Sequence, residues 1–295
     1  MRLSVIIPSL NGIKYLSKCI EGLRQQSLPP EEVIIIDSTV GHIAKEIPDF
    51  EGLKIHFLAE PVGVPEMRSI GFRMAEGDLV AMTEDHCIPT RNWCENIRRL
   101  HEKYPEEVIG GAVENGATES LIDWSCYLCE YLDFMLPLID APKGTVPGNN
   151  VAYKRSVINS HKDLFMAGLW EYFVHAELAK AGITFRMDPS LVVLHRKYFT
   201  VNDFQTQCYY FARSFGAMRV SQVTSSQLWF YRFVSLSLPL LVIGRLFEKV
   251  FWRKRARYKE FLLSLHYTIW FQLCWCCGEI TGYWFGEGDS TKKVE

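Results

Sequence analysis

Residues 77–89 read GDLVAMTEDHCIP. The apolar run Leu79–Met82 is the length of a buried strand and too short for a helix. It stops at Thr83-Glu84-Asp85-His86, which sets ionisable side chains at a strand end. Upstream, residues 65–75 have a helical pattern closed by Gly77. Further back, residues 3–7 are a β-rich apolar run stopped by Pro8. Residues 15–25 carry Leu16, Cys19, Ile20 and Leu23 at helical spacing, and the break Ser27-Leu28-Pro29-Pro30 follows. Residues 32–36 are a second buried-strand pattern ending at Asp37, and residues 53–58 a third. Strands alternating with helices in units of about 30 residues imply an α/β fold on a parallel sheet with right-handed crossovers. Ligands of such sheets gather at the carboxyl ends of the strands. Here those ends carry Pro8-Ser9-Leu10-Asn11, Asp37-Ser38 and Glu84-Asp85-His86.

The later chain is less regular. Residues 109–113 and 151–153 read as strands. Residues 121–138 are an apolar, aromatic stretch read as helical up to Pro137, and residues 142–150 are a turn-rich loop. Residues 171–181 read as a helix ended by Gly182. Residues 185–187 and 191–194 are short extended runs, the second closing at His195, and residues 203–219 read as a helix.

Composition bounds the partners. The 295 residues carry a net charge of −2, which argues against a nucleic-acid binder. The charge is uneven: residues 1–227 hold 22 Lys/Arg against 28 Asp/Glu, and residues 228–295 hold 10 against 6. Of the 39 Phe, Trp and Tyr, 16 lie between Trp229 and Phe285. The expected organisation is therefore an acidic body over residues 1–227 and a basic, aromatic, apolar helical tail over 228–295. The opening MRLSVIIPS has no basic n-region before an apolar run, so no signal peptide is expected. The nine cysteines are expected to be free thiols of a reducing cytoplasm, with Cys126-x-x-Cys129 and the Cys274–Cys277 group structural.

Six stretches in order, VIIPSLN (5–11), EVIIIDS (32–38), MRSIG (67–71), GDLVAMTEDHCIP (77–89), GNNVAYKRSV (148–157) and HAELAKAGITFRMDPSLVVLH (175–195), resemble the family-2 glycosyltransferases of the GT-A fold. The resemblance covers roughly residues 1–200. It implies a Rossmann-like mixed sheet flanked by helices, a nucleotide-diphosphate sugar donor, a divalent metal (Mn²⁺ or Mg²⁺) and inversion at the anomeric carbon. A divalent cation stabilises the charge that grows on the leaving diphosphate, and carboxylates on a rigid turn hold it. Where the family has Asp-x-Asp, this chain has Glu84-Asp85-His86. The expected metal set is Asp85, His86 and His195, with Glu84 and Asp85 also facing the donor. Imidazole suits Mn²⁺ better than Mg²⁺; the plainer reading of His86 is a surface loop histidine.

Other positions carry over by motif. Pro8 and Ser9 match the loop that cradles the nucleoside base. Asp37 matches the acid that meets the base or ribose, or is a turn aspartate. Arg68 matches an arginine facing the nucleobase or phosphates, or makes an ordinary ion pair; Ser69 stands where an asparagine usually follows. Gly148 and Asn149 match the loop below the acceptor cleft, with Asn149 toward the donor sugar. Trp170-Glu171 takes the place of the family's Glu-Asp pair. Glu171 is thus the expected general base, or else a first-turn glutamate favoured by the helix dipole. Trp170 is expected to stack on the acceptor, or to pack in the core. A lone histidine elsewhere, His101, is read as surface.

Residues 233–244 are uncharged between Arg232 and Arg245, too short to span a bilayer, which needs about 20 residues. Residues 261–285 are longer and interrupted by His266, Gln272 and Glu279, with the basic cluster at 253–257 between the two. Against the positive-inside rule, a spanning first segment would put that cluster outside. Residues 228–286 are therefore expected to lie on the cytoplasmic face of the membrane as re-entrant or interfacial helices, near a lipid-linked or glycan acceptor; the alternatives are an amphipathic helical pair packed on the soluble domain or in a dimer, and a two-span hairpin. Two other functions remain in view. A nucleotidyltransferase of the same fold would carry a Gly-rich, basic first loop, which is missing here. A degenerate scaffold without catalysis would explain the departures at the metal motif and the base pair.

Overall fold

The computed structural model describes residues 1–39, 41–138, 144–253 and 257–294. Two compact units emerge: Met1–Gly116 with Asp133–Lys197, and Ala117–Leu132 with Tyr198–Glu295. The expected boundary at 227 falls within a helix of the second unit, and the reason is packing, described below.

The first unit is an α/β layer. Its strands are β1 (Leu3–Ser9), β2 (Glu32–Asp37), β3 (Leu53–Phe57), β4 (Leu79–Met82), β5 (Cys87–Pro89), β6 (Val108–Asn115), β7 (Val151–Lys154) and β8 (Phe185–His195). They form one sheet in the order β3-β2-β1-β4-β7-β6-β8-β5. β3, β2, β1 and β4 run parallel, as the alternating pattern predicts. β7 is antiparallel to both β4 and β6, and β5 to β8, so the sheet is mixed. The helices are α1 (Ile13–Arg24), α2 (Val64–Met74), α3 (Trp93–Lys103), α5 (Arg155–Ser160), α6 (Lys162–Phe165) and α7 (Glu171–Lys180), α4 belonging to the second unit. β1 is buried along its whole length, as are β2 and β4, which explains their unbroken apolar runs. The core joins Ile6, Ile34, Val80 and Tyr153 of the sheet to Met67, Phe72, Phe165 and Leu178 of the helices.

Three local expectations are corrected. Residues 121–138 are not one helix. The helix ends at Tyr131, because the following chain is drawn to β6: the Val113 amide donates to the Phe134 carbonyl at 3.0 Å, and the Leu136 amide to Glu114 at 2.7 Å. The two runs at 185–187 and 191–194 are a single strand, whose pairing with β6 jumps between Gly111 and Ala112 to absorb the residues around Pro189. His101 is buried, on the inner face of α3 beside Trp93, Ile97 and Leu100. Burial, with Lys154 nearby, pushes its imidazole down to about 4.

The second unit is helical: α4 (Leu121–Tyr131), α8 (Val201–Val220), α9 (Ser225–Ser235), α10 (Leu238–Glu248) and α11 (Tyr258–Phe285). Capping boxes start α4, α8 and α9, at Ser120/Asp123, Thr200/Asp203 and Thr224/Gln227. The apolar segment expected at a membrane surface, 261–285, is instead the central helix of this unit. Phe261, Ser264, Thr268, Phe271, Gly278, Glu279 and Gly282 are its buried stripe. Phe271 packs with Phe204 and Cys208 of α8 and Cys126 of α4. Gly278 and Gly282 let α11 approach α8 closely, since a Cβ at either would run into the Tyr209 or Arg213 carbonyl. Glu279 accepts from Arg219, Tyr283 and, at 3.0 Å, Trp275 Nε1, so its charge is satisfied inside the unit. This partnering of α11 with α4 and α8 draws residues 117–132 and 198–227 into the second unit. Of the basic cluster at 253–257, residues 254–256 lie outside the described residues.

Candidate active site

The carboxyl ends of β1 and β4 meet through one side chain. Asp85, 1% exposed, accepts the amides of Leu10 and Asn11 through Oδ2, both at 2.8 Å, and the Asn11 amide group through Oδ1 at 2.8 Å. Its Oδ1 also faces His86 Nδ1 at 3.0 Å. Burial would raise this carboxyl, but the bonds from His86 and Asn11 hold it below its usual range. Its expected place as a metal ligand is therefore corrected: protein donors already take both oxygens, and Asp85 anchors the β1 loop and orients the His86 ring. Asn11, which the sequence reading passed over, completes this anchor; its position at a strand end was the available signal.

His86 turns its other nitrogen toward Glu84. Nε2 lies 3.3 Å from Glu84 Oε2. Burial opposes its charge, yet Asp85 and Glu84 together push the imidazole up to about 9. Glu84, despite burial, is held well below the carboxylate range by His86 and Arg68. His195 ends β8 opposite Cys87, and its ring meets the His86 ring edge-to-face at 4.6 Å. Burial and the His86 charge keep His195 neutral, well below its ordinary value. His86 is thus a buried residue, 7% exposed, and not a surface loop histidine.

Among the described residues, Glu84, His86 and Cys87 bring one ligand atom each within 4.8 Å of one another. The donor chemistry fits a divalent cation through Glu84 and His86: a carboxylate behind Nδ1 fixes the ring, and a cation would displace the Nε2 proton to take that nitrogen as its ligand. Cys87 fits less well, because burial pushes its thiol well above the ordinary thiol range and so favours the protonated form. The buried hydroxyls of Ser9 and Thr83, at the ends of β1 and β4, have no partner among the described residues. Orphaned hydroxyls at a sheet's carboxyl edge are what a polar ligand would satisfy.

Arg68, on α2 and 6% exposed, links the two acidic positions. Nη2 donates to Glu84 Oε1 at 2.8 Å and Nη1 donates to Glu171 Oε2. Glu171 is the first residue of α7. A Cβ on Gly148 would collide with the Glu171 carboxylate, so the missing side chain makes room for it. Asn149 Nδ2 donates to Cys87 Sγ at 3.5 Å, placing the 148–149 turn against the metal motif. Glu84, His86, His195, Arg68, Glu171, Gly148 and Asn149 are thus brought together.

Two expected contacts are not on that surface. Asp37 Oδ1 accepts the Thr39 amide at 2.9 Å and its hydroxyl at 2.6 Å, and Oδ2 accepts the Ala44 amide at 2.9 Å. It is the turn aspartate that closes the loop after β2. Trp170 is only 4% exposed, so its indole packs inside and offers no face to an acceptor; Tyr172, 48% exposed, is the neighbouring open ring.

Comparison with known proteins agrees with this architecture. A glucosyl-dolichyl phosphate glucuronosyltransferase of Haloferax volcanii is 25% identical over 120 residues, 38% of this chain and 38% of that protein, so the chain spans little more than a third of that relative's length. A dolichyl N-acetyl-α-D-glucosaminyl phosphate 3-β-D-2,3-diacetamido-2,3-dideoxy-β-D-glucuronosyltransferase of Methanococcus voltae is 24% identical over 267 residues, 82% of this chain and 81% of that protein. Among solved structures, a mannosyltransferase of Pyrobaculum calidifontis, in complex with GDP-Man and Mn²⁺, superposes with a TM-score of 0.59 at 15% identity, covering 96% of this chain and 87% of the other. That likeness establishes the GT-A fold. Residues 4–161, more than half of the sequence, match the glycosyl transferase family 2, and the chain belongs to that family.

Proposed function

We propose that this chain is an inverting hexosyltransferase, moving a sugar from a nucleotide-diphosphate donor to a lipid-linked acceptor at the cytoplasmic face of the membrane. The observation that carries it is the Glu84–Arg68–Glu171 chain beside His86 and His195: a cation-binding edge and a carboxylate base joined by one arginine. The dolichyl-phosphate relatives support a polyprenyl-phosphate class of acceptor.

In this reading Glu171 takes the proton of the acceptor hydroxyl as its oxygen bonds to the anomeric carbon. The bond from that carbon to the diphosphate oxygen breaks, and the nucleoside diphosphate leaves with the electron pair. Arg68, beside both acids, would supply positive charge to that leaving group. A bound divalent ion, held by Glu84 and His86 with His195 beside them, would add Lewis-acid stabilisation of the same charge. Ser9 and Thr83 offer hydroxyls to the donor, with Pro8 beside the base and Asn149 toward the sugar. The first unit carries this chemistry, and the apolar part of 228–286 that stays exposed holds the chain at the membrane surface. Among the described residues no single helix is long and apolar enough to cross a membrane; one bent pair, 225–235 with 238–252, reaches that length and composition together.

The test is a panel of nucleotide sugars with Mn²⁺ or Mg²⁺, read by mass spectrometry of a short-chain, water-soluble polyprenyl phosphate. Metal-dependent sugar transfer supports the reading. Nucleotide binding without transfer or donor hydrolysis across the panel would favour the scaffold alternative.

A further inference from the structure

The two apolar segments of the second unit differ in what they leave uncovered. α11 is partnered along its length by α8 and α4. α9 and α10 bury only Ser235 and Leu246. Phe230 is 63% exposed, Phe233 62%, Leu236 66% and Leu240 80%. The two helices meet at a bend of 66° around Leu236 and Ser237. Contiguous exposed apolar side chains of this kind mark a protein or membrane contact.

The polar atoms of the bend decide between those partners. Leu236 and Ser237 donate their amides to Phe233 and Val234 carbonyls at 3.3 and 3.0 Å, and the Leu241 amide donates to the Ser237 carbonyl at 3.1 Å. The Ser235 and Ser237 hydroxyls donate back to Arg232 and Val234 carbonyls, both at 2.7 Å. Pro239, in the first turn of α10, has no amide hydrogen to satisfy. Groups bonded within the segment are what immersion in hydrocarbon demands, whereas a protein partner would be met by polar groups facing outward. The flanks fit the headgroup layer. At one side Arg232 lies over Trp229 and Trp284, 5.1 and 5.3 Å from the ring centres. At the other stand Arg245, Lys249 and Trp252, the last 70% exposed. Basic and indole groups bracketing an apolar tip match an anionic bilayer surface.

We infer that the α9–α10 elbow is the membrane-inserting element of this chain: Phe230, Phe233, Leu236 and Leu240 enter one leaflet of an anionic bilayer as a re-entrant wedge, and α11 stays in the protein core. This deepens, and rests on, the membrane attachment proposed above. Deletion of 229–295 is not a suitable probe, because it would strip α4 and α8 of α11. The test uses the full chain carrying F233S, L236S and L240S together, floated with phosphatidylcholine vesicles with and without phosphatidylglycerol. The wild type is expected to float, more with phosphatidylglycerol. The triple variant, checked for an unchanged melting temperature, is expected to lose at least about a hundredfold in partitioning, since each withdrawn CH₂ is worth about fourfold. A second measurement needs no loss of binding: an environment-sensitive dye on L236C, with C277S to remove the exposed thiol, is expected to shift to the blue on addition of vesicles. Folded wild type left in the aqueous fraction would overturn the inference. So would a dye at 236 that vesicles do not shift, or a W270S variant of α11 that loses binding while the triple variant keeps it. A wild-type dimer that the triple variant converts to monomer, with neither bound to vesicles, would assign the elbow to a second copy instead. Transfer to the short-chain acceptor without vesicles reports on the transferase reading alone, so the two fail separately.

Discussion

Arg68 Nη1 on α2 donates to Oε2 of Glu171, the residue that opens α7. The same guanidinium holds Glu84 on the metal-motif turn. One buried cation therefore fixes two carboxylates that the sequence separates by 87 positions (171 − 84).

Removing that cation takes from Glu84 and Glu171 the partner they share. Arg68→Ala is expected to lower stability by about 3 kcal/mol, the usual cost of stranding one side of a buried pair. Urea unfolding of the two proteins measures it; a loss below about 1 kcal/mol would mean that the pairing is incidental.

Gly148 is the counterpart on the other side of Glu171. Gly148→Ala places a methyl group where the carboxylate now sits. The carboxylate is the end of a flexible side chain, so it can move, and the fold should hold at a cost of about 1–3 kcal/mol, the usual range for adding a methyl group to a packed site. Turnover is expected to fall at least about tenfold, because a positioned base loses its place. Unchanged turnover would show that Glu171 need not occupy the position seen here.

Asp85 and His86, adjacent in sequence, are expected to part in experiment. Asp85→Ala frees the Leu10 and Asn11 amides and the Asn11 side chain. It should cost about 2–4 kcal/mol of stability, from buried donors left unpaired. A thermally robust Asp85→Ala protein would instead restore Asp85 to the role of a metal ligand.

For His86→Ala the expected loss is in ligand binding. Nucleoside diphosphate affinity should weaken at least about tenfold in Mn²⁺ and remain as it was in EDTA. Isothermal titration in the two conditions reads the difference directly; equal affinities for the variant and the wild type in Mn²⁺ would remove His86 from the metal site.

Much of this was legible in the sequence for physical reasons. Strands buried on both faces must be continuously apolar, so 3–7, 32–36 and 79–82 announced themselves, and the strand-end polar residues followed. Helix α3 was missed although Trp93, Ile97 and Leu100 hold one face, because three charged residues between them hide a short apolar stripe. Asp37 and Asp85 show the limit at the site. A motif fixes which residue stands at a strand end, but not whether its carboxylate turns to the cleft or to the amides of its own loop. Trp170 repeats the lesson for an aromatic side chain. The tail was misread in part because α11 and α10 have similar apolar composition, and only packing tells a covered helix from an uncovered one.

The central claim is that Glu171 is the base of a sugar transfer at the site edged by Glu84 and His86. Glu171→Gln keeps the shape and a hydrogen-bonding oxygen for Arg68 while removing the basicity. The direct measurement is single-turnover transfer of sugar to the short-chain polyprenyl phosphate, with donor binding measured in parallel. The account predicts a rate lower by roughly 10²–10⁴ with donor binding retained; a Glu171→Gln protein that transfers at the wild-type rate would contradict it.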